Sequence, residues 1–111
     1  MDKCELEGFD GIKCGGRLEW HHIINRAKLK NKTSARIYCE NTHPEIFLTQ
    51  VCSFHNTVTK IADCKRARRR LLLQKVELFG EEYVRSVVDS IPWKVPSAHY
   101  DLTFEAIMGA E

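Results

Sequence analysis

The sequence predicts a small α+β protein, and three observations support that prediction. The chain has 111 residues, 43% of them hydrophobic, and at this length one core forms readily whereas two are hard to fill. Two short segments with strand-like patterns lie in the first half. From Ser53 onward, apolar residues recur at helical spacing. We therefore expect one domain, residues 1–111, in which two strands precede the main helices.

The first strand follows an irregular segment. Residues 1–16 contain two cysteines and four glycines without periodicity, which is typical of turns. In Arg17-Leu18-Glu19-Trp20-His21-His22-Ile23-Ile24, Leu18, Trp20 and His22 lie on one side of an extended chain and Glu19 and His21 on the other, so the segment predicts a short strand ending near His22. We interpret Trp20, and also Trp93 near the C-terminus, as core or covering residues.

The second strand is expected at residues 46–52, which are rich in β-branched and aromatic side chains. Between the strands, residues 25–45 are polar and basic, so they predict a long loop with a helical turn. A single long helix is then expected over residues 53–80, ending at Gly80 and carrying Cys64 on its apolar face.

Two shorter helices are expected to close the chain. Residues 81–91 have helical spacing and precede Pro92, which cannot continue a helix. Residues 101–108 predict a last turn or two, with Asp101 as the N-terminal cap.

Composition and charge restrict the location and the partners. The N-terminus lacks the pattern of a secretory signal, and no apolar run is long enough for a membrane helix. We therefore expect a cytoplasmic protein without a membrane partner. Residues 1–76 carry 15 Lys and Arg against 8 Asp and Glu, whereas residues 77–111 carry 2 against 7. The basic part favours an anionic partner.

Five cysteines in a reducing compartment indicate metal ligands or small buried side chains rather than disulfides. In Cys52-Ser53-Phe54-His55, two residues separate two ligands, a spacing that lets both close on one tetrahedral ion. Cys4 and Cys14 would complete a structural zinc site, although nine residues separate them. Cys39 is an alternative ligand.

Two motifs together resemble the HNH, or ββα-metal, endonucleases. Leu18-Glu19-Trp20-His21-His22-Ile23-Ile24 is similar to their first strand, and Val51-Cys52-Ser53-Phe54-His55-Asn56 to their junction between strand and helix. The resemblance covers roughly residues 4–65, and Asn56 after the zinc pair is closest to the phage recombination endonuclease VII branch. It implies a zinc-stapled ββα-metal core over residues 1–65 with a helical extension over residues 66–111.

The resemblance also implies an activity. His21 and Asn56 would hold a catalytic Mg²⁺ or Mn²⁺ ion, and His22 would be the general base that hydrolyses phosphodiester bonds in DNA, with branched or nicked DNA as candidate substrates. A phage-encoded enzyme would work in the host cytoplasm. A homodimer is one way to cut both strands.

The middle Asn of the family is replaced by Phe47, and Asn41 is a candidate substitute. The missing Asn keeps one alternative open, an inactive zinc module that binds DNA or protein. A second alternative is a nuclease that acts on RNA, because we recognise no residue that reads the 2′-hydroxyl and would decide between RNA and DNA.

Basic residues cluster in the loop and in the long helix. A charge run of this kind is ordinarily a solvated helix face, but its position next to the expected site makes it a candidate for contacts with DNA phosphates. The candidates are Arg26, Lys28, Lys65, Arg66, Arg68, Arg69 and Arg70.

Overall fold

Two antiparallel strands, β1 (Leu18–His22) and β2 (Leu48–Cys52), pair over their full length. In the computed structural model, which describes residues 3–29 and 33–109, this sheet is surrounded by helical segments. The expected α+β class is therefore confirmed. The six α-helices within the described ranges are α1 (Arg26–Leu29), α2 (Thr33–Ile37), α3 (Pro44–Phe47), α4 (Lys65–Phe79), α5 (Glu81–Asp89) and α6 (Phe104–Met108).

The segment between the strands is more helical than its polar composition predicted. It contains α1, α2 and a π-helical turn, Tyr38–Thr42, before α3. The expected start of β2 at residue 46 is wrong, because Pro44 begins α3 and its preset φ suits a first helical position. Ile46 and Phe47 are therefore helical and fully buried.

The expected single helix over residues 53–80 is interrupted. A π-helical turn (Phe54–Val58) and a 3₁₀ turn (Ile61–Asp63) precede α4, and Lys60 between them has a left-handed backbone with φ 57°. Cys64 is not in the middle of a helix. It caps α4, and its Sγ accepts a hydrogen bond from the Ala67 amide at 3.3 Å.

The last two helices are shorter than predicted. The helix α5 ends at Asp89, before Ile91, and α6 begins at Phe104. The predicted cap at Asp101 is wrong, because Thr103 has the extended backbone of a cap and its Oγ1 accepts the Ala106 amide at 3.2 Å.

Apolar side chains from the N-terminal segment, the sheet and the helices share one buried cluster. Phe47, Leu6, Ile23, Leu71 and Leu72 are among its fully buried members. Trp20 is not part of it: its side chain is 63% exposed, so its interpretation as a core residue is wrong. The described helices are all too short or too polar to cross a bilayer.

Candidate functional site

Four side chains converge between the N-terminal segment and the end of β2. The ligand atoms of Cys4, Cys14, Cys52 and His55 all lie within 4.8 Å of one another. The three sulfurs are 3.7, 3.9 and 3.0 Å from His55 Nδ1, in the order Cys4, Cys14, Cys52. Bond lengths for tetrahedral zinc of about 2.3 Å to sulfur and about 2.1 Å to nitrogen imply S···N separations of about 3.6 Å. The cluster is therefore compatible with a structural metal such as zinc.

Backbone hydrogen bonds hold the cysteines in place. Cys4 Sγ accepts the amides of Leu6 at 3.4 Å and Cys52 at 3.3 Å, which joins the N-terminal segment to the end of β2. The turn after Cys14 requires a glycine at position 16, where φ is 78° and a Cβ would lie 1.8 Å from Ser53 Oγ. On either side of this glycine, the carbonyls of Gly15 and Arg17 accept the amides of Phe54 and Ser53, so the turn lies next to the end of β2.

His55 presents the correct nitrogen for a metal. Its side chain is fully buried, and Nε2 lies 3.1 Å from the carbonyl oxygen of Ile12. Because only a protonated Nε2 can donate to that carbonyl, Nδ1 carries a lone pair directed towards the sulfurs. The backbone thus selects the tautomer that a metal ligand needs.

The thiols also fit a cation electrostatically. Desolvation, reinforced by hydrogen bonds with Cys4 and Cys52, raises the pKa of Cys14 to about 12. Burial also opposes ionisation of Cys52, but hydrogen bonds from the Gly15 and His55 amides and the His55 ring lower its pKa to about 6. Three neighbouring thiolates would repel one another, and a bound cation removes that repulsion.

Cys39, the alternative ligand, is absent from the cluster. It is 1% exposed, and burial raises its pKa to about 12. Cys64 caps α4 instead. These two thiols are accounted for by packing and capping.

A pair of adjacent histidines lies at the end of β1, and their rings have different surroundings. His21 is 4% exposed, and its Nε2 is 3.2 Å from Asp63 Oδ1. Burial lowers the pKa of His21, and the hydrogen bond and charge of Asp63 only partly oppose this. The His21 ring is therefore neutral at physiological pH, the state in which imidazole binds metals.

His22 contacts a different carboxylate. Its Nε2 is 2.9 Å from Glu40 Oε2, and Glu40 Oε1 accepts a hydrogen bond from Arg36 Nε at 3.2 Å. Burial disfavours the charge on Glu40, but Arg36 and His22 together lower its pKa below the ordinary value. An ionised Glu40 fixes the proton of His22 on Nε2 and leaves Nδ1 as the basic atom.

Asn56 follows the candidate metal ligand His55 in the π-helical turn. Its Nδ2 donates to Glu19 Oε1 at 3.0 Å, and Thr57 Oγ1 donates to the same oxygen at 2.7 Å. The hydrogen bonds from Thr57 and Asn56 lower the pKa of Glu19. Since the amide nitrogen is used by a carboxylate, the carbonyl oxygen of Asn56 is the atom left to accept or to bind a cation.

These groups share one solvent-open cavity of about 180 Å³, which is lined by Trp20, His21, His22, Asn25, Asn56 and Asp63. Phe47 stands in the place of the missing Asn, and Asn41 is its candidate substitute. Phe47 is buried in the core, and Asn41 is exposed. The side chain that reaches His22 is that of Glu40, one residue before Asn41.

Three of the predicted phosphate-binding arginines have partners within the chain. Arg66 pairs with Asp10 at 2.6 Å. Arg69 Nε donates to the Met108 carbonyl at 2.8 Å, and Arg70 donates to the Glu7 carbonyl at 3.1 Å. These contacts attach both ends of the chain to α4, so these arginines have a structural task besides any contact with an anion.

The other basic candidates are more available to a ligand. Lys28 and Lys65 are exposed. Arg68 lies close enough to His21 to contribute to its lowered pKa, after the larger effect of burial, and its buried Nε has no hydrogen-bond partner within residues 3–29 and 33–109. Lys65 and Arg68 line a further cavity of about 300 Å³ together with Tyr100 and Asp101. The side chain of Arg26 lies outside the part of the chain that the structure describes.

Sequence reasoning missed the two carboxylates that contact the histidine pair. Glu40 lies in a segment expected to be a loop, and Asp63 in one expected to be a continuous helix. Neither has a spacing that connects it with His21 or His22, because Glu40 lies 18 positions after His22 and Asp63 lies 42 positions after His21. Only the three-dimensional arrangement could identify them.

No protein-family model, curated protein or solved structure matches this chain. Function is therefore inferred from the two clusters themselves.

Proposed function

We propose that the protein is a metal-dependent DNA endonuclease of the HNH kind, with a zinc-stapled ββα-metal core. One observation carries the proposal: His21, His22 and Asn56 line a single cavity beside the cluster that could hold zinc. A hydrolase of this design needs a base and an open cation site next to each other. The cavity offers both.

His22 is the general base in this proposal. Its Nδ1 takes the proton from the attacking water, and the charge that develops on the ring is stabilised by Glu40 at 2.9 Å. Glu40 thus acts as a positioning residue, which holds the ring and sets its tautomer. This is the orienting task that the family resemblance assigns to the missing Asn.

His21 and Asn56 would hold the divalent ion. Both offer a suitable atom, a neutral imidazole nitrogen and an amide oxygen, on the wall of the same cavity. When bound, Mg²⁺ or Mn²⁺ would neutralise charge on the scissile phosphate and on the leaving oxygen.

A metal at the zinc cluster would also stabilise the cavity, because the two sites are joined by consecutive residues of the chain. Cys52 ends β2 and His55 directly precedes Asn56, so a metal at the cluster would fix the turn that carries Asn56. Zinc in this proposal is structural, because four protein ligands leave no open position for a substrate.

Substrate binding is assigned to the basic residues near the cavity. Lys65 and Arg68 begin α4 two and five residues after Asp63. Contacts of this kind with phosphates are independent of sequence and sensitive to salt. These residues would contact the nucleic-acid backbone, and such contacts carry no information about sequence preference.

The test is cleavage of supercoiled plasmid by zinc-replete protein with Mg²⁺ or Mn²⁺, run beside His22→Ala and His99→Ala. His99 stacks on Trp93 and lies outside the cavity lining, so it is the matched control. We expect metal-dependent nicking by the wild type and the His99 variant. Loss of at least ~100-fold is expected for His22→Ala, in line with the contribution of a general base, with binding retained.

One observation favours a second function, a zinc module that binds DNA or protein without cleaving. Phe47 stands where the family has its middle Asn, and it is buried in the core. Binding of plasmid by folded, zinc-loaded wild-type protein without nicking would refute the enzyme and select this alternative. Cleavage of RNA in preference to DNA would replace the substrate class.

A further inference from the structure

Asp63 is the carboxylate in the cavity to which the proposed chemistry gives no task. It ends the 3₁₀ turn directly before α4, and its side chain is 49% exposed. Its Oδ1 lies 3.2 Å from His21 Nε2, and both residues line the cavity that contains Asn56. An exposed carboxylate at the mouth of an anion-binding site is unfavourable unless a cation offsets its charge.

The two nitrogens of His21 face different surroundings. Nδ1 is 3.5 Å from Oγ1 of Thr49, which is fully buried and donates its own proton to the His21 carbonyl at 3.2 Å. Nδ1 therefore points into the protein. Nε2 is the nitrogen that an ion in the cavity would contact, and Asp63 already lies beside it.

The separation of these two atoms suits two neighbouring ligands of one ion. An octahedral ion with bonds of about 2.1 Å places adjacent ligand atoms about 3.0 Å apart, close to the 3.2 Å between His21 Nε2 and Asp63 Oδ1. Binding requires a bare Nε2, so the ring proton moves to Nδ1. There Thr49 Oγ1 can accept it, because the hydroxyl proton is directed to the His21 carbonyl.

We propose that Asp63 is a ligand of the same divalent ion that His21 and Asn56 would hold. This inference rests on one part of the proposed function, the divalent ion at His21 and Asn56. It does not require that the protein cleaves DNA. The ligand set would then comprise one carboxylate, one amide oxygen and one imidazole. The Asp63 carboxylate supplies a negative charge, which a neutral histidine and an amide do not provide.

The ligand set also predicts which ions bind. Carboxylate and amide oxygens suit Mg²⁺ and Mn²⁺, whereas an imidazole favours ions later in the divalent series. The mixed set therefore favours Mn²⁺ over Mg²⁺. Removal of the carboxylate should weaken binding of Mn²⁺ more than that of Ni²⁺, for which imidazole is the better ligand.

The test measures Mn²⁺ binding to the full chain carrying one equivalent of zinc. Electron paramagnetic resonance detects the binding, because the signal of free Mn²⁺ is lost when the ion binds. Asp63→Asn keeps the shape and the hydrogen-bond acceptor of the side chain but removes its charge. Asp101→Asn removes an exposed charge from the other cavity and is the matched control. Zinc content and melting temperature verify that both variants are folded.

We expect Asp63→Asn to raise the Kd for Mn²⁺ at least ~10-fold, the lower end of the effect of losing even an indirect contact, while Asp101→Asn changes it less than twofold. Equal binding by wild type and Asp63→Asn would overturn the proposal, as would a wild type that binds no Mn²⁺. Wild-type Mn²⁺ binding that depends on Asp63, without DNA cleavage, would support this ligand and refute the nuclease.

Discussion

Removal of one cysteine from the cluster that could hold zinc tests whether the fold depends on a bound metal. In Cys52→Ser, a hydroxyl replaces the sulfur that lies 3.0 Å from His55 Nδ1. Cys52 is 2% exposed, so water has little access to take the place of the lost ligand. We expect the variant to misfold or to melt well below the wild type.

The magnitude follows from the linkage between binding and folding. Zinc at 100 times its Kd stabilises the folded state by about 2.7 kcal/mol, whereas a ~100-fold weaker site at the same zinc concentration contributes only about 0.4 kcal/mol. The variant therefore loses about 2.3 kcal/mol. For a domain of this size, 1 kcal/mol corresponds to roughly 4 °C. The expected decrease in Tm is therefore roughly 10 °C. The underlying loss of free energy is a substantial fraction of the ~5–15 kcal/mol that stabilises a typical domain.

Circular dichroism during heating, with zinc counted by native mass spectrometry, measures both quantities. Cys64→Ser is the matched control, because Cys64 caps α4 through its Sγ and serine is a good cap. It should keep one zinc and the wild-type Tm. A Cys52→Ser protein that unfolds cooperatively at the wild-type temperature without bound zinc would refute a structural role for the cluster.

Three further predictions concern other parts of the molecule. Glu40→Gln should lower kcat about 10-fold with unchanged DNA affinity, because a neutral amide stabilises the developing charge on His22 less well; unchanged kcat in single-turnover assays would remove Glu40 from the site. Lys65→Glu combined with Arg68→Glu should weaken DNA binding about 10-fold or more at every sequence and reduce its salt dependence, which gel-shift titrations at several salt concentrations would reveal; unaltered binding would exclude this part of α4 from the interface. Thr103→Ala should cost about 1 kcal/mol by removing the cap of α6, whereas an unchanged midpoint in urea would show that the cap contributes nothing.

The end of β1, the approximate position of β2 and the Cys52–His55 half of the candidate metal cluster were predictable because their patterns are local. Alternation predicted that β1 ends near His22, which is where the strand ends. The spacing of Cys52 and His55 limited where a metal could lie, although the long gap between Cys4 and Cys14 left Cys39 as a rival. The structure excludes Cys39 from the cluster, because its thiol is buried at another place in the fold.

The interruption after β2 was not predictable from periodicity. Apolar residues keep a helical spacing across residues 53–80. Lys60 nevertheless has φ 57°, a left-handed backbone conformation that residues other than glycine rarely adopt. The break turns the chain so that Asp63 contacts His21. Tertiary contacts therefore override the local helical pattern at the point where the candidate site is formed.

The charge run of α4 illustrates a second limit. Sequence alone assigned all its arginines to one partner, whereas Arg66, Arg69 and Arg70 contact the chain's own terminal segments. An arginine that donates to a carbonyl of its own chain and an arginine that is available to bind a phosphate cannot be told apart in the sequence. Only the position of the partner distinguishes them.

The four candidate zinc ligands are unequally accessible, and this has a consequence for the rate of metal exchange. Cys4, Cys52 and His55 are buried, but Cys14 is exposed. A chelator, an oxidant or a competing thiophilic ion would reach the metal first at the Cys14 sulfur, because the other three ligands are shielded by packing. Release of a zinc ion held there would therefore proceed from this one edge, at a rate set by how often Cys14 detaches.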